Sequence, residues 1–121
     1  MSEKIYNIGV EATIEIIGGK WKPIILCHLR NNPMRNSELL KAIPNISQKV
    51  LTAQLRELEN NEIIDRKIYP ELPPHVEYSL SDYGKSLNQI LNLLCTWGET
   101  NIDRRRYNGE SVDVLNRDNN I

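Results

Sequence analysis

The chain has 121 residues, a net charge of −1 and 40% hydrophobic residues, enough for one modest core and too little for several domains. No apolar run is long enough to span a bilayer, no charged-then-apolar leader opens the chain, and two cysteines are too few for a disulfide framework. These features exclude membrane-spanning and disulfide-rich classes, and the expected location is the reduced cytoplasm.

Ile5 to Ile17 predicts a first helix, closed by Gly18-Gly19 as a left-handed cap. Val10, Ile14 and Ile17 share one face, and Ile5, Ala12 and Ile16 share nearly the opposite one, so this helix needs two surfaces to pack against. Trp21 to Leu29 predicts a second helix, with Pro23 tolerated in its first turn, and Asn31-Asn32-Pro33 breaks it. A short third helix is expected over Asn36 to Ile43, with Asn36 or Ser37 as N-cap. Pro44-Asn45-Ile46 forms a turn, Ser47 caps the fourth helix, and Asn60-Asn61 ends it. The pattern then alternates. Ile63 to Tyr69 and Val76 to Leu80 read as two strands around a stiff, proline-bearing tip, Pro70 to His75. Ser81 caps a last helix from Asp82 to about Arg104, and residues 105–121 read as a weakly ordered polar tail.

The third and fourth helices, joined by a tight turn, make a helix-turn-helix, and the hairpin behind them makes a wing. The expected fold is α+β and mainly helical, a winged helix-turn-helix in residues 1–104. Its N- and C-terminal helices, residues 5–17 and 82–104, are expected to serve dimerisation. On the last helix Tyr83, Leu87, Ile90, Leu91, Leu94 and Trp97 form one stripe, widened by Leu93 and Cys95. A stripe that broad, added to a first helix apolar on two faces, exceeds what one small core covers. The expected interface of a homodimer is therefore Ile5, Ala12 and Ile16 with Leu87, Ile90, Leu91, Leu94 and Trp97.

Charge is distributed unevenly. Between Lys20 and Arg56 the seven bases Lys20, Lys22, Arg30, Arg35, Lys41, Lys49 and Arg56 face one acid, Glu38, a net of +6 that leaves −7 elsewhere. Polyanion binding depends on the local field rather than the total. Within the fourth helix Leu51, Leu55 and Leu58 form the stripe to be buried, while Lys49, Thr52, Ala53 and Arg56 fall opposite, with Gln48 near the start and the acids late. Amide, hydroxyl and basic side chains on the leading half of such a helix suit base edges and phosphates of a major groove. The expected contacts are Ser47, Gln48, Lys49, Thr52, Ala53 and Arg56 from the recognition helix. Arg35 in the third helix, with Arg66, Lys67 and His75 in the wing, is expected to reach flanking phosphates or the minor groove. The partner so implied is double-stranded DNA carrying a pseudo-palindromic operator.

Several stretches also carry a family resemblance: IIGGKWKPIIL, R-x-x-EL at Arg35 to Leu39, PNISQKVLTAQLRELENNEII, PPHVEYSLSDYG and LLCTWG. In this order, over about residues 8 to 104, they resemble the HxlR-type winged-helix transcriptional regulators, which are MarR-like. The resemblance implies a homodimeric bacterial DNA-binding regulator whose first and last helices build the dimer interface; a repressor is the expected kind. Two positions depart from the family pattern: Asn36 stands where Phe often follows the arginine, and Ile8 stands where redox-sensing members carry a cysteine. Cys27 and Cys95 lie in apolar helical runs and read as small hydrophobes, so thiol oxidation is not the expected primary signal.

Catalysis is not expected. His28 and His75 lie in different elements, the carboxylates are scattered, and Gly18-Gly19 is neither a GxGxxG turn nor a P-loop. Cys27 and His28 point about 100° apart on a helix, which is poor metal-ligand geometry, so neither metal nor cofactor is expected. Trp21 and Trp97 read as packing residues rather than as a ligand pocket, although an unknown small-molecule effector remains compatible. The competing reading of the fold is a winged-helix adaptor that binds protein and not specific DNA.

Overall fold

The computed structural model describes residues 2–117. They contain α1 (Gly9–Ile17), α2 (Trp21–His28), β1 (Met34–Arg35), α3 (Asn36–Ala42), α4 (Gln48–Asn60), β2 (Ile64–Tyr69), β3 (His75–Leu80), a 3₁₀ turn (Gly84–Leu87) and α5 (Asn88–Tyr107). The strands form an antiparallel sheet in the order β1-β3-β2. This is a winged helix-turn-helix. The described residues fall into two compact units divided between Lys85 and Ser86, the first with the helix-turn-helix and sheet, the second with α5.

The first unit's core is aliphatic. Ile25, Leu26 and Leu29 of the α2 region, Leu39 and Ile43 of the α3 region, Leu51, Leu55 and Leu58 of α4, Ile63 just before β2, and Ile64 and Leu80 of the sheet are all buried. The α4 stripe is thus the one that helical periodicity selects.

α1 is shorter than Ile5 to Ile17. The Glu11 carboxylate accepts from the amides of Asn7 and Ile8 at 3.2 and 3.3 Å, which caps the helix at an extended Ile8 and leaves Ile5 outside it. Lys4 and Tyr6 run back along the helix and both bond Glu15. The expected faces of α1 are not covered evenly: Val10 and Ile14 are exposed although Ile17 of the same face is buried, and Ala12 and Ile16 of the other face are half-buried. At its C-terminus Gly18 is extended, and the left-handed residue is Gly19, at φ 84°. A side chain at Gly18 would collide with the Ile14 carbonyl.

The turn between α3 and α4 is held by Asn45 in the left-handed region, φ 70°, a conformation that asparagine tolerates. Ser47 Oγ accepts from the Val50 amide at 3.1 Å and starts α4 as expected. The cap of α3 is neither Asn36 nor Ser37. It is Arg35, whose amide donates to Glu38 Oε1 at 2.7 Å. Arg35 also ends β1, a strand with only two residues and therefore no legible period.

The long helix begins at Asn88, not Asp82. The Ser81 hydroxyl donates to the Glu62 carbonyl at 2.6 Å and accepts from the Gly84 amide at 2.8 Å. That bond network winds the chain into a 3₁₀ turn first. In the second unit α5 runs to Tyr107, three residues past the expected end. Arg105 then pairs with Glu110, Arg106 with Asp113 and Asp103 with Arg117. The remainder of the expected tail, residues 118–121, lies outside the described residues.

Candidate nucleic-acid interface

Buried Leu51, Leu55 and Leu58 fix the rotation of α4, so the opposite side must face solvent. Ser47, Gln48, Lys49, Ala53 and Arg56 are exposed there and Thr52 is half-buried. The structure therefore gathers all six expected recognition-helix residues on the outward side and N-terminal cap of one helix. Gln48 Nε2 donates to Thr52 Oγ1 at 3.0 Å, one turn along. Among the described residues Lys49 and Arg56 form no ion pair.

The seven bases of the positive segment are not equivalent. Lys22 is turned inward, its side chain 12% exposed and 3.0 Å from Glu57. Arg30 is half-buried and donates through Nε to the Cys27 carbonyl at 3.0 Å. Lys20 lies over the Trp21 ring, 4.6 Å from its centroid. Arg35 and Lys41 are exposed and, like Lys49 and Arg56, form no ion pair among the described residues. Lys41 was legible as a charge, but helix periodicity alone does not tell which face of so short a helix is covered.

The wing departs from expectation at His75. Ile64, Arg66 and Ile68 lie on one face of β2, and Asp65, Lys67 and Tyr69 on the other. Arg66 and Lys67, both exposed, therefore point to opposite sides. His75, expected to reach flanking phosphates, is the first residue of β3 and faces its own hairpin. Its ring stacks on Tyr69 at 4.6 Å and 13°, with Nε2 at 3.5 Å from Glu77 and Nδ1 at 3.8 Å from Glu71. Two neighbouring carboxylates make this corner unwelcoming to a phosphate. Arg35 and Lys67 flank Glu77 as its register partners on the two neighbouring strands, so the positive charge of the wing is offset there by an acid.

The surface left over is apolar. In the first unit Ile5, Ile8, Val10 and Ile14 are exposed, and in the second Ile90, Leu93, Leu94 and Trp97. Leu91, expected among the interface residues, is instead fully buried, and Leu87 is half-buried. No helix of the described residues is long and apolar enough to cross a membrane, and no group of three or more metal-ligating side chains occurs among them.

A model of the HxlR-like helix-turn-helix family matches residues 16–106. The chain belongs to that family. It is 58% identical over 115 residues to the HTH-type transcriptional regulator YtcD of Bacillus subtilis (strain 168), covering 95% of this chain and 90% of YtcD. A crystal structure of ytcD superposes with a TM-score of 0.74 at 56% identity, over 78% of this chain and 97% of that one. The redox regulator HypR in its reduced form gives 0.75 at 43% identity, over 81% and 97%. A MarR-family regulator from Enterococcus faecalis V583 gives 0.69 at 39%, over 81% and 89%. This HxlR-type chain is a helix-turn-helix transcriptional regulator, which implies DNA binding, and its relatives are regulators of transcription rather than enzymes.

Proposed function

We propose that the protein is a sequence-specific, cytoplasmic DNA-binding repressor that acts as a homodimer on a pseudo-palindromic operator. The observation that carries this reading is the outward side of α4. It presents Gln48, Lys49, Thr52, Ala53 and Arg56, with both bases outside any ion pair among the described residues. α4 enters the major groove with its N-terminal half leading. Lys49, Arg35 and Lys41 neutralise phosphates, Arg56 serves as a guanine reader or phosphate clamp, and Arg66 and Lys67 straddle flanking DNA. His75 is left out of this contact and braces the wing.

Two copies are needed because the exposed apolar side chains of α1, its leading segment and α5 exceed what a lone small protein leaves in water. Residues 1–104 act as the working domain, with the remainder as an appendage. The dimer represses by occupying a promoter. Its primary signal is other than thiol oxidation: Cys27 and Cys95 are both half-buried, and Ile8 stands at the start of α1 where the family resemblance places a sensing cysteine.

Selection of bound duplexes from genomic DNA, followed by competition binding at two salt concentrations, tests the reading. The expected result is an enriched two-fold symmetric sequence whose affinity falls steeply with salt. A protein-binding adaptor would enrich no sequence and show no such fall.

A further inference from the structure

We propose that Gln48 and Thr52 act as one unit that selects an adenine in each half-site and rejects guanine there. This rests on the DNA-binding reading above and adds to it the base that is read. Gln48 is the first residue of α4, and Thr52 follows four residues later. Both occupy the leading half of the helix, the part that reaches base edges when a recognition helix docks.

The chemistry follows from what the bond between them consumes. A free glutamine amide offers two N–H donors and one carbonyl acceptor. It can turn either group outward, so alone it reads ambiguously. Here Nε2 donates to Thr52 Oγ1 at 3.0 Å, which spends one donor and fixes the plane of the amide. One N–H and the carbonyl oxygen remain for a ligand. In the major groove adenine presents an acceptor at N7 beside a donor at N6, the complement of that pair. Guanine presents two acceptors, N7 and O6, so one of them would face the Gln48 carbonyl oxygen without a proton between. Cytosine and thymine each satisfy only one of the two groups. A long side chain fixed before docking also loses less rotamer freedom on binding.

Thr52 is thus a positioning residue: it need not touch the base to set the preference. Thr52→Val keeps the branched shape and the helix but removes the acceptor, releasing the Gln48 amide to rotate.

The test is selection from random duplexes with wild type, Thr52→Val and Gln48→Ala, each checked for folding by thermal melting. Wild type is expected to enrich one adenine per half-site, and replacing it with guanine should weaken binding by about tenfold or more. Replacement with 7-deazaadenine, which lacks the N7 acceptor, should weaken it as well. Thr52→Val should narrow the adenine-to-guanine ratio at that position without erasing it, and leave the base ratios at the other operator positions as in wild type. Gln48→Ala should abolish the preference. An enriched operator with no adenine sensitive to Gln48→Ala, or a Thr52→Val ratio equal to wild type, overturns this inference and leaves the DNA-binding reading standing. Failure of wild type to enrich any sequence overturns both.

Discussion

The ammonium of Lys22 in α2 and the carboxylate of Glu57 in α4 meet at 3.0 Å, the lysine side chain almost covered and the glutamate half open to water. The bond ties the trailing half of the recognition helix to the helix beneath it, and it also removes an acid from the neighbourhood of Arg56. Glu57→Gln leaves the covered ammonium without its counter-ion and should cost about 1–2 kcal/mol, less than a fully buried broken pair because Glu57 is solvated. Lys22→Met keeps the apolar stem and should cost less. Urea unfolding midpoints of the two variants check this ordering.

Phosphate contacts and base contacts should separate in salt titrations. Lys49→Ala and Arg66→Ala are each expected to weaken all duplexes alike and to lower the slope of log K against log salt by about one. His75→Ala, by contrast, should leave the slope unchanged, because the ring is engaged with Tyr69 and two glutamates. A loss of slope in that variant would return His75 to the DNA contact.

The corner around Ser81 should be among the most sensitive surface-near positions. Ser81→Ala strands the Gly84 amide and should cost about 1–3 kcal/mol. Gly84→Ala places a methyl group onto the Ile63 carbonyl and should cost a similar 1–3 kcal/mol through overpacking. Thermal melting of both variants, compared with an exposed control such as Lys85→Ala, measures the difference.

Assembly should depend on Trp97, which is 72% exposed in the single chain. Trp97→Asp is expected to yield a folded monomer in sedimentation at micromolar concentration, where wild type sediments as a dimer. Leu91→Asp should instead unfold the protein, since that side chain is wholly covered.

Acid should weaken the fold through His28. Burial, aided by the Arg30 charge, holds its pKa below the ordinary histidine value of about 6.5. Above that value both folded and unfolded chains carry a neutral ring, and the residue has no effect. As pH falls through it, the unfolded chain takes up the proton first, so stability declines until the folded value is reached. Melting temperatures at pH 7.5 and 5.5 should therefore diverge more in wild type than in His28→Gln.

The recognition helix was legible because a 3.6-residue stripe, a serine cap and an asparagine stop all agree along Ser47 to Asn61. Other parts depended on partners distant in the chain. β1 owes its existence to bonds with β3, more than forty residues later, and two residues cannot display a period. Arg35 caps α3 because Glu38 supplies the carboxylate, so the usual cap residues beside it mislead. The position of His75 was decided by its register partner Tyr69, and the burial of Leu91 by packing that a stripe on a helical wheel does not reveal. The late start of α5 was hidden because Ser81 does cap a turn, only not the one that continues as the long helix.

The two residues of β1 have a consequence for which changes of length the chain tolerates. Arg35 is at once the partner of Glu77 in the sheet and the cap of α3. One residue inserted between Arg30 and Pro33 would have to be absorbed as a bulge. Otherwise it would slip the pairing by one, turning Met34 and Arg35 to opposite faces and moving the start of α3 along the sheet. The tip from Pro70 to Pro74 carries no such double duty, since it only joins two strands already in register. Natural variation in length should therefore collect at the wing tip, while the segment before β1 stays fixed in length even where its residues change.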